Sequence, residues 1–184
     1  MIEVELKFPV SSLDEIRRQL HAMGATSKGV SVQTDEYFND PKRDYAELDL
    51  AVRIRRSDEC FWLTFKGPNL DSAAKIREEI EVPLENAEAA EQMQGVLTGM
   101  GLVSVASVIK RREEFVGRTN LSDVHFCLDD VAEVGGFIEL ESVVQSQKDV
   151  EPAKLKLFAL ADQLGLSGST RTSYLEMLLD ARES

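Results

Sequence analysis

Five residues near the N-terminus, Glu3-Val4-Glu5-Leu6-Lys7, set the tightest limit on what this chain can fold into. In an extended strand, successive side chains point to opposite faces. Glu3, Glu5 and Lys7 then share one face, and Ile2, Val4, Leu6 and Phe8 share the other. The pattern recurs along the chain. Arg53 and Arg55 flank Ile54, while Arg77, Glu79 and Glu81 alternate with Ile76, Glu78, Ile80 and Val82. Lys110 and Arg112 lie two apart, and Glu139 and Glu141 flank Leu140. Each such strand carries an ionic face and an apolar face, and the fold must house both.

The intervening segments supply helices. Ser12 with Glu15 makes a capping box, and Leu13, Ile16, Leu20 and Met23 form an apolar stripe that stops near Gly24. Strands are predicted at about 30–38, 48–57, 60–67 and 76–83. Asn39-Asp40-Pro41 opens a loop through Ala46, Ser57-Asp58-Glu59 a turn, and Lys66-Gly67-Pro68 a polar loop through Ala74. Asn86 caps a second helix ending by Gly101, with Ala90, Met93, Leu97 and Met100 on its stripe. Strands follow at about 103–117, 124–131 and 136–144. Pro152 suits the first turn of a third helix carrying Leu155, Phe158, Ala161 and Leu164, and a short tail helix runs from Leu175 to Leu179. About eight strands and three main helices suggest an α+β fold in one domain, residues 1–184. The two halves resemble each other only loosely. The apolar strand faces need helical cover, and the ionic faces either meet solvent or line a closed barrel.

Composition narrows the partners. A net charge of −12 argues against a nucleic-acid binder, though not against a small polyanion held by a local cluster of cations. No apolar run approaches the roughly 18 residues that span a bilayer. The strand begins at once, leaving no room for a signal peptide, and two cysteines (Cys60, Cys127) on separate strands make a disulfide framework unlikely, so the cytoplasm is the expected location.

Alternation is also what a solvated sheet face shows. Two details favour a site. Arg53 with Arg55, and Lys110 with Arg112, put like charges about 7 Å apart on one face, which suits phosphate better than solvent. Glu3/Glu5 and Glu139/Glu141 are paired hard-oxygen donors of the kind that hold Mg²⁺ or Mn²⁺ beside substrate phosphates. Lys66-Gly67 lacks P-loop spacing, and no zinc pattern surrounds His21 or His125, so structural roles are expected for both. The cysteines read as core and Trp62 as barrel wall rather than base-stacking; Tyr37 and Tyr174 fit either a ligand or packing.

Taken together the residues resemble the CYTH superfamily of triphosphate tunnel enzymes. Glu3-Val4-Glu5-Leu6-Lys7 is similar to its Glu-x-Glu-x-Lys signature. The likeness continues in order through Arg53-Ile54-Arg55, Lys66-Gly67-Pro68, Arg77 with Glu79 and Glu81, Lys110-Arg111-Arg112, Leu128-Asp129-Asp130-Val131, Gly135 to Glu141, and Ser173-Tyr174-Leu175. It implies an eight-stranded antiparallel β-barrel with a charged tunnel and helices outside. It implies metal-binding acids at Glu3, Glu5, Asp129, Glu139 and Glu141, and triphosphate-binding cations at Arg53, Arg55, Lys66, Lys110 and Arg112. Lys7 and Arg77 would join Lys66 in catalysis, with Glu79 and Glu81 orienting cations or holding a second Mg²⁺ or Mn²⁺. Tyr37-Phe38-Asn39-Asp40-Pro41, the Lys66-Gly67-Pro68 turn and Arg171-Thr172-Ser173-Tyr174 look most like the class IV adenylyl cyclase branch, although Val134 stands where a leucine commonly precedes the glycine pair. The leading expectation is metal-dependent conversion of ATP to cyclic AMP and pyrophosphate. Hydrolysis of inorganic tripolyphosphate or an organic triphosphate such as thiamine triphosphate is the alternative, a non-catalytic polyphosphate-binding module the third. A homodimer is an expectation from the resemblance alone.

Overall fold

In the computed structural model, which describes residues 2–71, 73–117 and 121–183, the ionic faces turn inwards. Eight strands close into one barrel: β1 (Ile2–Pro9), β2 (Thr26–Asn39), β3 (Ala51–Ser57), β4 (Cys60–Lys66), β5 (Lys75–Leu84), β6 (Val103–Val116), β7 (His125–Val131) and β8 (Gly135–Val144). Their spatial order is β1-β5-β4-β3-β2-β6-β7-β8, and β8 returns to β1. Every neighbouring pair is antiparallel. Closure leaves no open edge and fixes every inward side chain against two neighbours.

Three helices pack outside: α1 (Leu13–Ala22), α2 (Ala87–Gly99) and α3 (Val150–Gln163); a fourth, α4 (Tyr174–Glu183), packs against one end of the barrel. The expected caps form, with Ser12 and Asn86 accepting hydrogen bonds from the backbone N–H of Glu15 and Ala89 at 3.2 and 3.0 Å. Val4, Leu6, Phe8, Phe126, Leu128, Ile138 and Leu140 point out of the barrel into a core shared with α1 and α3, including Leu20, Leu157 and Leu160. Val52, Ile54 and Phe61 pack beneath α2 through Ala90 and Leu97.

Several expectations shift. β2 begins at Thr26 rather than 30, because it pairs with the long β6 to its end, through an irregularity at Ser27/Gly29. β3 begins at Ala51 rather than 48, and the tail helix is longer than Leu175–Leu179. Ser72, in the expected polar loop, lies outside the described residues. Helical cover is incomplete: Val30, Val32 and Ile109 on β2 and β6, and Ile80 and Val82 on β5, stay exposed on the outer wall. Cys60 is exposed at the β3–β4 turn rather than in the core, and both cysteines are free thiols. No helix among the described residues is long and apolar enough to cross a membrane.

The inversion is not uniform along the bore. Near the ends of β2 and β7 and the start of β8, the inward positions turn apolar: Tyr37, Val108, Val131 and Phe137. Tyr174 and Leu178 of α4 pack on this layer, with the Tyr174 ring edge-on to Phe137 at 5.1 Å between centroids. One end of the barrel is thus a small hydrophobic core, while charged side chains dominate the wall of the cavity beside it.

Candidate functional site

A cavity of about 580 Å³ occupies the barrel, a volume suited to a small molecule rather than a macromolecule. Its walls include Glu3, Glu5 and Lys7 from β1, Arg53 and Arg55 from β3, and Lys66 from β4. Lys75, Arg77, Glu79 and Glu81 of β5, Lys110 and Arg112 of β6, and Glu139 and Glu141 of β8 complete the ionic lining. Of the metal- and triphosphate-binding residues that the resemblance implied, only Asp129 is missing from this surface. It lies behind Arg112, fully buried.

The interior acids divide by what satisfies them. Asp129 accepts hydrogen bonds from Arg112 Nε and Nη2 at 2.7 and 2.6 Å, from the Tyr174 hydroxyl at 3.0 Å and from Lys110 Nζ at 3.4 Å. Glu139 also accepts from Arg112. Burial alone would raise the Glu139 carboxyl, but Arg112, Lys110, Lys7 and Lys75 together hold it well below the usual carboxylate range. Glu79 lies 2.7 Å from Lys66 Nζ, and Glu81 accepts from the Thr64 hydroxyl at 3.1 Å. Both stand 3.9 Å from Arg53.

Glu3, Glu5 and Glu141 form the contrasting group. Each offers an oxygen, and the three oxygens lie within 4.8 Å of one another. The β1–β8 register makes Glu5 the direct partner of Glu141. Burial pushes the Glu3 carboxyl up, with Lys66 only partly opposing it. Glu141 is pushed well up by burial and by the neighbouring Glu3, Glu139 and Glu5, against the pull of Arg112. Glu5 Oε1 is buried without a hydrogen bond; its nearest cation is Lys75 Nζ at 3.7 Å. Three converging hard-oxygen donors that lack enough positive charge can hold Mg²⁺ or Mn²⁺, and the residues fit such an ion.

The cations divide too. Among the described residues, neither Lys7 nor Arg77 makes an ion pair, and Arg77 Nε is buried without a partner. Lys7 is 2% exposed, with its Nζ 4.1 Å above the centre of the Tyr174 ring. Burial and the nearby Lys75 lower its ammonium to about 8. Two cations that face a cavity without a direct ion pair can receive an anion.

Sequence reasoning missed Asp35 and Lys75. Lys75 shares the face of Arg77, Glu79 and Glu81, so extending the β5 alternation back one pair reaches it. Asp35 lies between the inward Gln33 and Tyr37 on β2, where a strand read for apolar content hides a polar face. His21 is structural, edge-on to Phe115, but His125 lines the cavity. Tyr37 is buried and accepts a long hydrogen bond from Arg53 at 3.5 Å; Trp62 is half-buried in the barrel wall and does not line the cavity.

Known proteins resemble this chain in sequence and fold. The family model described as CYTH domain matches residues 1–174. The chain is 34% identical over 179 residues to a Methanocaldococcus jannaschii protein named "Putative adenylate cyclase MJ0240", covering 96% of this chain and 98% of that one. It superposes on the PH1819 protein of Pyrococcus horikoshii with a TM-score of 0.86 at 33% identity, over 97% of this chain and 98% of the other. A Hippeastrum protein described as revealing a dominant triphosphatase activity shares the fold, at 18% identity and a TM-score of 0.69, over 97% of this chain and 95% of the other.

Proposed function

This chain belongs to the CYTH domain family, and from that premise we propose that it is a divalent-metal-dependent class IV adenylyl cyclase, converting ATP to cyclic AMP and pyrophosphate. The observation that carries the proposal is the segregation inside one cavity. A cation-hungry acid trio stands beside unpaired Lys7 and Arg77, and the same cavity continues to Tyr45, Leu50, Val105, Leu175 and Leu179. The acids suit a metal and the cations a triphosphate. These apolar side chains, set among Asp44, Asp49 and Glu176 of the same wall, give the organic part of a nucleotide a surface to lie against, which tripolyphosphate would leave unused. The name of the Methanocaldococcus relative agrees with this choice.

In this scheme Glu3, Glu5 and Glu141 would hold Mg²⁺ or Mn²⁺, and an ion bound there would supply Lewis-acid chemistry, making the ribose 3′-hydroxyl more acidic and polarising the α-phosphate. The 3′-oxygen attacks the α-phosphorus and gives up its proton to water, and the bond from the α-phosphorus to the α–β bridging oxygen breaks, so that oxygen leaves with the pyrophosphate. Arg53, Arg55, Lys66, Lys110 and Arg112 offset the charge that collects on the departing pyrophosphate, with Lys7 and Arg77 supplying the cations not already committed to acids. Asp129 and Glu139 belong to the support of Arg112 in this scheme rather than to the metal.

Incubation with ATP, and separately with tripolyphosphate, in Mg²⁺ or Mn²⁺ decides the matter. Cyclic AMP is expected from ATP. Orthophosphate from either substrate would replace the cyclase with a triphosphatase, and tight binding without product would leave a binding module. Arg55→Ala is expected to weaken tripolyphosphate binding measured by calorimetry.

Lys7 supplies a pH test. Its ammonium is partly deprotonated at pH 8 in the free protein, and a bound polyanion favours the charged form. Metal-free tripolyphosphate binding at pH 8 should therefore take up more protons in the wild type than in Lys7→Arg. Calorimetry in buffers of different ionisation enthalpy measures the difference, and equal uptake would remove Lys7 from the binding set.

A further inference from the structure

Arg53 and Arg55 are aimed by an acid that never reaches the cavity. Asp35, 1% exposed on β2, is absent from the cavity wall that both arginines line. It is the register partner of Arg55 across β2–β3. Arg55 Nε and Nη2 donate to its two oxygens at 2.6 and 2.8 Å, and Arg53 Nη1 donates to one of them at 3.2 Å. Asp129 is built the same way on the β6–β7 wall, a buried carboxylate gripping Arg112 through two bonds and Lys110 through one. The barrel thus carries two buried aspartates, each behind a pair of cations.

We propose that Asp35 is a positioning residue, holding Arg53 and Arg55 as a ready-made pair for the triphosphate; this rests on the triphosphate-binding function proposed above. An arginine side chain has many rotamers, and a ligand that must order two of them loses affinity. Here the rear edge of the Arg55 fork is occupied by Asp35, so its remaining Nη1 is presented from a fixed frame. The same carboxylate also subtracts a charge from the site, which by itself would weaken anion binding. Positioning and charge subtraction therefore predict opposite signs when Asp35 is changed.

Asp35→Asn keeps the shape and removes the charge; Asp35→Glu keeps the charge and moves it by one methylene, so the ion pairs that support folding are retained. With positioning dominant, both variants raise the dissociation constant of metal-free tripolyphosphate in calorimetry by roughly 10- to 100-fold, the range found for residues that orient a ligating group. KM for ATP rises in both, with a smaller change in kcat. In an Arg55→Ala background the Asp35→Asn effect shrinks to the share exerted through Arg53, and an undiminished effect would count against the assignment. Nitrogen relaxation of the Arg55 Nε–H in the ligand-free protein should report a mobile guanidinium in Asp35→Asn and a rigid one in the wild type. Unchanged or tighter binding in Asp35→Asn, or an Arg55 that stays rigid, would overturn the assignment. A wild type that fails to bind tripolyphosphate would remove the proposed function instead, and the relaxation measurement would still decide whether Asp35 fixes the arginines.

Discussion

Replacing Glu5 by alanine is expected to lower metal-dependent turnover by roughly 10²- to 10³-fold, the scale of several kcal/mol of lost charge stabilisation, while the barrel stays folded. Folding survives because Glu5 gives the apo protein little. One of its oxygens has no hydrogen bond, and its closest cation is 3.7 Å away. Removing it also relieves Glu141, which Glu5 helps to push up. Turnover falls because Glu5 and Glu141 are direct cross-strand partners, and with Glu3 they form the one acid trio within metal-binding reach among the described residues. Turnover against Mn²⁺ concentration, set beside a thermal melt, measures both halves. Wild-type rates in Glu5→Ala would remove the trio from the mechanism. Glu139→Ala should also lose turnover, through Arg112 rather than through the metal.

Arg112→Ala is expected to cost roughly 3–5 kcal/mol at neutral pH, the penalty for stranding buried acids without their cation. For a chain of this length that is a fall of roughly 6–20 °C in Tm. Asp129 would keep only Lys110 at 3.4 Å and the Tyr174 hydroxyl at 3.0 Å. Glu139 would lose its nearest counter-ion. The pH dependence has a definite sign. Glu139 is held below its unfolded value, so the stability it draws from Arg112 is complete above the ordinary carboxylate range and is lost as the pH falls. The gap between wild type and variant should therefore narrow on acidification. Chemical denaturation of both proteins at pH 7 and pH 4 tests this, and a cost below about 1 kcal/mol at pH 7 would mean that Arg112 is a surface-like charge.

Much of the fold could be read from single strands. Val4 and Leu6 had to leave the face that Glu3, Glu5 and Lys7 occupy, and they lie under α3 and α1. Ser12 and Asn86 begin helices because their side chains satisfy the first free backbone N–H groups, a local matter. The misses were non-local. β2 runs back to Thr26 only because β6 is there to pair with it. Val32 and Ile80 remain exposed because four helices do not cover eight strands. Cys60 reads as core by residue type yet stands at a turn.

The candidate site follows the same division. Alternation along the backbone assigns each side chain to a face, because that is a property of extended geometry within a few residues. It therefore placed Glu3, Glu5, Glu139 and Glu141, like Arg53, Arg55, Lys110 and Arg112, on the ionic faces of their strands. It could not separate the acids by role, since role depends on which residue lies across the ladder. Closing the barrel set Glu5 against Glu141, Arg112 against Asp129 and Arg55 against Asp35. The first pairing leaves two acids short of positive charge; the other two give each acid its cation. The sequence by itself determined which residues share the ionic face of each strand; closure of the sheet turned that face inwards, and its long-range register decided which acids are left short of positive charge.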